Sequence, residues 1–271
     1  MRAVVLFIAL CLLTYTENVE VVENRNDFDK FLQKKGLKIS HENIRGLPGN
    51  FFALQEFVSS QGNIDVLTLS ETHIAKNERN ESLYKLSGYN FESRIRNSGK
   101  GGGVAVYVKE NISYIRRKDL ENENIENIAI EIITKESKNV LIATHYRPPS
   151  SSKHLCKHFN DIFNESLSLY CSESKETILL GDMNADYLKK NDNKELKSII
   201  QQNGFTQIIK NPTRITKDSK FLIDIIATIY PVNIVSSCVT ATSLSDHDLV
   251  MWVRKINNKK FPSKTTRCRN I

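Results

Sequence analysis

Short apolar stretches alternate along the chain with polar, turn-forming segments, and the apolar positions switch between two periods. Residues 37–41, 64–70, 103–108, 128–133, 140–146, 177–180, 222–229, 234–239 and 249–253 are apolar runs rich in Ile and Val, and they predict strands. Residues 51–59, 152–169 and 194–202 carry apolar positions at helical spacing, the last halted by Asn203-Gly204. Phe28, Phe31 and Leu32 repeat that spacing before Gly36. So many strands with so few crossover helices predict α/β architecture of two packed mixed β-sheets flanked by helices, a four-layer sandwich, and not a single parallel sheet. No low-complexity linker interrupts the pattern, so residues 37–256 are expected to form one domain.

Several of these strands run into a polar residue that strand propensity would not select. The strand at 37–41 leads into Glu42-Asn43, the one at 64–70 into Glu71, and 140–146 closes on Tyr146. The run at 177–180 passes through Gly181 into Asp182-Met183-Asn184, Asp224 lies inside 222–229, and Ser245-Asp246-His247 precedes the last strand. A carboxylate at the mouth of a buried strand is costly to desolvate unless a cation or a proton donor compensates it. Each residue alone has an ordinary explanation as a turn former or cap. As a set they supply oxygen ligands for a hard cation, a carboxylate able to activate water, and an imidazole. His41, His73, His145, His154 and His158 show no ligand spacing, and Trp252 sits among apolar residues and is expected to pack. Gly101-Gly102-Gly103 opens a strand and not a helix, which favours a tight turn over a phosphate cradle.

Composition changes this picture less than its distribution does. The 271 residues carry 38 Lys+Arg against 31 Asp+Glu, a net charge of +7, and are 40% hydrophobic with 11 Gly and 6 Pro, which excludes a collagenous or mainly disordered chain. Seven basic residues and no acid lie beyond Leu249, and without them 31 basic residues face 31 acidic ones. The excess positive charge is therefore a C-terminal tail, residues 257–271 with the end of the last strand, either solvated or available to a polyanion. At the other end, Arg2 precedes an unbroken apolar run from Ala3 to Leu13 and a polar flank, which reads as a signal peptide over 1–16, too short to span a bilayer, followed by a charged extension over 17–36. No other segment is long and apolar enough to cross a membrane, so no transmembrane segment is expected. The five Cys match no disulfide framework or zinc site, and the three sequons at Asn80, Asn111 and Asn164 are what chance yields in a chain this rich in Asn, Ser and Thr.

The ordered motifs Ser40-His41-Glu42-Asn43-Ile44-Arg45-Gly46-Leu47, Leu69-Ser70-Glu71-Thr72, Gly101-Gly102-Gly103-Val104-Ala105-Val106-Tyr107 and Tyr146-Arg147-Pro148-Pro149 carry a specific resemblance. So do Gly181-Asp182-Met183-Asn184-Ala185-Asp186, Pro212-Thr213-Arg214, Ile223-Asp224 and Ser245-Asp246-His247-Asp248. Together they resemble the endonuclease/exonuclease/phosphatase superfamily, and most of all the endonuclease domain of LINE-type (non-LTR) retrotransposons. The resemblance implies a deoxyribonuclease I-like fold and a magnesium-dependent phosphodiesterase, with manganese as a substitute, that nicks DNA. It implies that Glu71 holds the metal, with Asn43 and Asp246 completing that site or orienting its waters. Asp182 would align and deprotonate the attacking water, with Asn184 fixing its position. His247, oriented by Asp224, would stabilise the transition state, and Tyr146 would donate a hydrogen bond to the developing charge. Thr213 and Ser245 fall where the family places supporting hydroxyls; Arg147 and Arg214 are candidate backbone-phosphate contacts. Glu42 departs from the apolar or small residue usual before the family's Asn, and a charge there is expected to perturb the metal mouth.

The signal-like start predicts secretion of a transposon-derived domain, or a nuclear protein if that segment is not a functional signal. The alternative to an enzyme is a secreted, non-catalytic protein that retains the fold for a binding or extracellular-matrix role.

Overall fold

The computed structural model describes residues 19–21, 25–75, 81–96, 101–134 and 138–256. The signal segment, the basic tail and the Asn80 sequon expected from the sequence lie outside the described residues. With strands numbered in chain order, one sheet runs β1 (Val19–Val21), β14 (Ile234–Thr240), β15 (Leu249–Arg254), β2 (Leu37–Asn43), β3 (Val66–Ser70), β5 (Val104–Lys109) and β4 (Tyr89–Arg94). The second runs β10 (Thr206–Gln207), β13 (Asp224–Thr228), β9 (Glu176–Asp182), β8 (Val140–Tyr146), β7 (Glu126–Ile132) and β6 (Tyr114–Arg116). Both are mixed: β2 and β3 are parallel, as are β8 and β9, while β13 runs antiparallel to β9. A small hairpin of β11 (Arg214–Ile215) and β12 (Lys220–Phe221) stands apart.

Strand periodicity assigns every side chain to a layer. Ile39, Val66, Val104, Val106, Ile130, Ile142, Ile178, Leu180, Ile226, Val250 and Trp252 meet between the sheets. The alternate residues face outward. Leu67, Leu69, Tyr107, Met251 and Val253 pack under α1 (Arg25–Leu32) and α2 (Leu47–Gln61). Leu141, Ala143, Leu179, Ile225 and Ala227 pack under α3 (Phe159–Ser172) and α4 (Lys194–Gln202). The result is the helix–sheet–sheet–helix sandwich expected from the sequence.

Besides the short strands β1, β6, β10, β11 and β12, which were not expected, two longer elements differ from expectation. The helix expected over 152–169 begins only at Phe159, because Ser152 diverts the backbone: its hydroxyl accepts the His154 N–H at 3.1 Å while its own N–H bonds the Pro149 carbonyl at 2.8 Å. Strand β4, not expected, alternates only Tyr89 and Phe91 on its apolar face and lies at a sheet edge, where half its backbone needs no partner and the apolar signal is correspondingly thin.

Candidate active site

The same period of two builds the site. On β2, Leu37 and Ile39 point between the sheets, so His41 and Asn43 do too; on β8, Ile142 leads to Tyr146; on β9, Ile178 and Leu180 lead to Asp182; on β13, Asp224 precedes Ile226. Because β2 and β3, and β8 and β9, are parallel, their C-terminal ends share one edge, with Asn43 opposite Ser70 and Tyr146 opposite Asp182. Antiparallel β13 then brings Asp224 opposite Asp182. The polar strand ends are therefore one cluster at the mouth of the inter-sheet core. Gly181 is required for this: a Cβ there would stand 1.8 Å from the His145 carbonyl oxygen, so only glycine lets β9 lie against β8 one residue before Asp182.

One bank of the mouth comes from the second sheet. Asp182 is 1% exposed. Its Oδ1 accepts the Asn184 backbone N–H at 2.8 Å, and its Oδ2 accepts Asn43 Nδ2 at 2.8 Å and Asn184 Nδ2 at 3.2 Å. Burial, reinforced by the charge of Asp224, pushes the Asp182 carboxyl up to about 7. Asp224 Oδ2 meets His247 Nδ1 at 2.9 Å and accepts the Thr213 hydroxyl at 2.7 Å; that hydroxyl in turn accepts the Asp224 N–H at 3.0 Å. Burial opposes a charge on the His247 imidazole, but Asp224 overcomes it and raises the group to about 9, so it is an imidazolium at neutral pH. Ser245 ties this bank to β2, donating to the Asn43 carbonyl at 2.6 Å and accepting the His247 N–H at 3.0 Å.

The other bank centres on Glu71, which sits at φ 50°. Its Oε1 accepts Asn43 Nδ2 and the Tyr146 hydroxyl, both at 3.0 Å, and its Oε2 lies 3.3 Å from His73 Nε2. Burial alone would raise this carboxyl; the donors His73, Asn43 and Tyr146 outweigh it and hold it at about 2. Burial and Glu71 push the Tyr146 phenol far above its ordinary value, so it stays a donor. The glycine turn supports the bank from behind, since the Thr72 and His73 N–H groups bond the Gly103 and Gly102 carbonyls at 3.2 and 2.8 Å.

Three sequence readings take a different form in the structure. Arg147, read as a phosphate contact, is 5% exposed: its guanidinium lies 5.7 Å from the Phe159 ring centroid and donates to the Met183 carbonyl at 3.3 Å and Asn193 Oδ1 at 3.0 Å. It braces the Asp182–Asn184 turn and offers nothing to a substrate at the mouth. Asp246, read as a metal group, is gripped by Arg45 Nη1, 2.8 Å from each of its oxygens, and by Arg214 Nε at 2.8 Å from Oδ2. Glu42 points away from the mouth, on the opposite face of β2, where Oε1 bonds the Thr242 hydroxyl and burial pushes the carboxyl up to about 8. Sequence reasoning missed Arg45 and His73. Both lie two residues beyond a site residue, Asn43 and Glu71, and both adopt positive φ, 46° and 53°, which turns them back onto the mouth.

A divalent cation suits this donor set. Glu71 offers oxygen donors, held in place by the Asn43 amide, and Asp224 Oδ1 is buried with no hydrogen-bond partner beside Asp182, an excess of buried acid that a cation would relieve. Asp182, Asp224 and His247 also place ligand atoms within 4.8 Å of one another, although His247 Nδ1 is already engaged by Asp224.

The fold and this mouth define a class. The chain belongs to the Endonuclease/Exonuclease/phosphatase family, whose sequence profile matches residues 42–216. A comparison with curated proteins finds no match. Among solved structures, the AP endonuclease LMAP from Leishmania major superposes with a TM-score of 0.70 at 16% identity, covering 92% of this chain and 99% of that one. The endonuclease domain of TRAS1, a telomere-specific non-LTR retrotransposon, gives 0.63 at 14% identity over 82% of this chain and 99% of its own. A Neisseria 3′ phosphatase, NExo, solved with a product DNA hairpin, gives 0.63 at 13% identity over 81% and 100%. At these identities the likeness is one of fold, the deoxyribonuclease I-like sandwich.

Proposed function

We propose that the chain is a magnesium-dependent phosphodiesterase of retrotransposon descent that nicks DNA. The observation that carries this reading is the opposition of Asp182, positioned by two asparagines, and an imidazolium, His247, fixed by Asp224, at one mouth. Asp182 takes a proton from a water; that water oxygen forms a bond to phosphorus as the bond from phosphorus to the leaving oxygen breaks, and the leaving oxygen takes up a proton from solvent. His247 and Tyr146 offer hydrogen bonds to the negative charge that grows on the phosphoryl oxygens. Asn43 and Asn184 hold the Asp182 carboxylate in a fixed orientation. Glu71, oriented by the Asn43 amide, would hold the cation, which would supply charge neutralisation at the phosphate.

The test is conversion of supercoiled plasmid to open circle with magnesium, beside Asp182→Ala and His247→Ala. Nicking by the wild type alone is the expected result; wild-type nicking no greater than that of the variants rejects the reading. If calorimetry also detects no magnesium binding, a non-catalytic protein retaining the fold replaces it. The signal-like segment supports secretion, for which the measurement is a mature N-terminus near Glu17 in conditioned medium, and an intact Met1 in cell lysate rejects it.

A further inference from the structure

At the rim of the mouth two arginines converge on one carboxylate. Arg45 and Arg214 come from segments far apart in sequence, and Asp246 bridges them through three contacts of 2.8 Å. The arrangement is anchored to the site on both sides. The Arg45 N–H bonds Asn43 Oδ1 at 3.1 Å, which fixes its left-handed backbone, and its Nε lies 4.0 Å from Glu71 Oε2. Arg214 follows Thr213, the residue that holds Asp224, and its backbone bridges to that of His247. One carboxylate bridges both guanidiniums, with Glu71 beside Arg45 as the second acid. The bridge leaves donors: Asp246 engages only Nη1 of Arg45 and only Nε of Arg214. Both side chains are open to solvent, at 45% and 30% exposure, where Arg147 is closed. A carboxylate that merely neutralised a surface would need one cation; here it joins two planar forks and leaves each with N–H groups that it does not engage.

We propose that Arg45 and Arg214, spaced by Asp246, form a clamp for a backbone phosphate adjacent to the scissile one, and that Asp246 is a positioning residue for this clamp and not a metal ligand. The proposal rests on the nuclease reading for its substrate, a nucleic-acid backbone. It explains why the acid next to His247 bridges two arginines while Glu71 has its close contacts with Asn43, Tyr146 and His73.

The experiment has two arms. In the first, fluorescence anisotropy of a labelled DNA duplex is measured in EDTA, so that no turnover occurs. Arg45→Ala and Arg214→Ala should each weaken binding about tenfold and each lower the slope of log affinity against log salt by roughly one, the loss of one phosphate contact. Arg45→Lys and Arg214→Lys should restore the salt slope, since the charge returns, but only part of the affinity, since the fork does not. In the second arm, Asp246→Asn should raise the KM for nicking while the half-saturating magnesium concentration stays within about twofold of the wild type. Unchanged affinity and slope in both alanine variants, with melting temperatures intact, overturns the clamp. A magnesium requirement raised about tenfold or more in Asp246→Asn, at unchanged KM, makes Asp246 a metal ligand and overturns its positioning role. A wild type that binds duplex in an arginine-dependent way yet never nicks would sink the nuclease reading while upholding the clamp, so the two failures are distinct.

Discussion

Glu71 and Asp182 face each other across Asn43, whose amide reaches the first at 3.0 Å and the second at 2.8 Å, yet burial and partners drive their carboxyls in opposite directions. Glu71 sits on the rim, where His73, Asn43 and Tyr146 all donate to it, and it is held at about 2. Asp182 lies deeper, beside a second acid, and is lifted to about 7. Two carboxyls a few ångströms apart thereby suit two tasks: one is anionic at every working pH and fit to hold a cation, the other can take up a proton near neutrality. Pushing a pair of acids apart in this way is how a site separates a proton acceptor from a fixed charge. The inter-sheet position decides which is which, because Asp182 accepts its hydrogen bonds from neutral amides and the imidazole across from it is claimed by Asp224.

The sharpest way to break the comparison is to exchange the tasks. Asp182→Asn should lower the rate of nicking by roughly 1,000-fold or more, the scale of losing a positioned general base, at an unchanged half-saturating magnesium concentration. Glu71→Gln should act instead on the metal, raising the magnesium needed for half-maximal nicking, with part of the loss recovered at high magnesium. If excess magnesium rescues Asp182→Asn and leaves Glu71→Gln untouched, the two banks have been assigned the wrong way round. Next in size is His247→Gln, which keeps a hydrogen-bonding group but removes the positive charge. A loss of about 100-fold is expected, as for one preorganised donor to a transition-state oxygen, and Asp224→Asn should approach it because the imidazolium depends on that acid.

Much of this comparison was legible in the sequence, and for a physical reason. A buried strand end tolerates an acid or an amide only where something compensates it, so Asn43, Glu71, Asp182, Asp224 and His247 stood out against the apolar runs that lead to them. The four layers were equally legible, since a period of two with few helices leaves little choice but two packed sheets. What stayed hidden depended on turns. Arg45 and His73 reach the mouth only because the chain takes positive φ just after a strand, which the residue types there do not announce. Arg147 was misread although strand alternation foretold it: Tyr146 points inward between the sheets, so the next residue points outward, under Phe159. Glu42 follows the same rule one residue before Asn43.

Smaller in effect is Tyr146→Phe, which deletes one hydrogen bond to Glu71 Oε1 and the phenol available to the substrate. About a tenfold loss of nicking is expected, the kinetic equivalent of one hydrogen bond of ~1.4 kcal/mol. The outcome bears on the rim bank: with one donor gone, Glu71 should become easier to protonate, and the loss should deepen as the assay is made more acidic.

The smallest effect tests the buried imidazoles, where the contrast between the banks recurs without any catalytic role. His247 is raised to about 9 because a carboxylate stands 2.9 Å away; His145, on the outer face of β8, has only the Tyr170 hydroxyl at 3.0 Å and an unpartnered Nδ1, and burial depresses it to about 3. Folded His145 is therefore neutral down to about pH 3, whereas in the unfolded chain it binds a proton below its ordinary value of 6.5. Between those two limits the unfolded state holds more protons at this residue, so its contribution to stability falls as pH falls, by at most ~1.4 kcal/mol per pH unit. His145→Gln should remove this contribution, read as a gap between the wild-type and variant urea midpoints that narrows from pH 6.5 to 4, while lowering stability at pH 7 through the imperfect fit against Phe163. A difference between the two midpoints that stays constant across that interval would show that the imidazole binds its proton equally in the folded and unfolded chain, and that position on the sandwich, and not the presence of a carboxylate, sets the charge of its histidines.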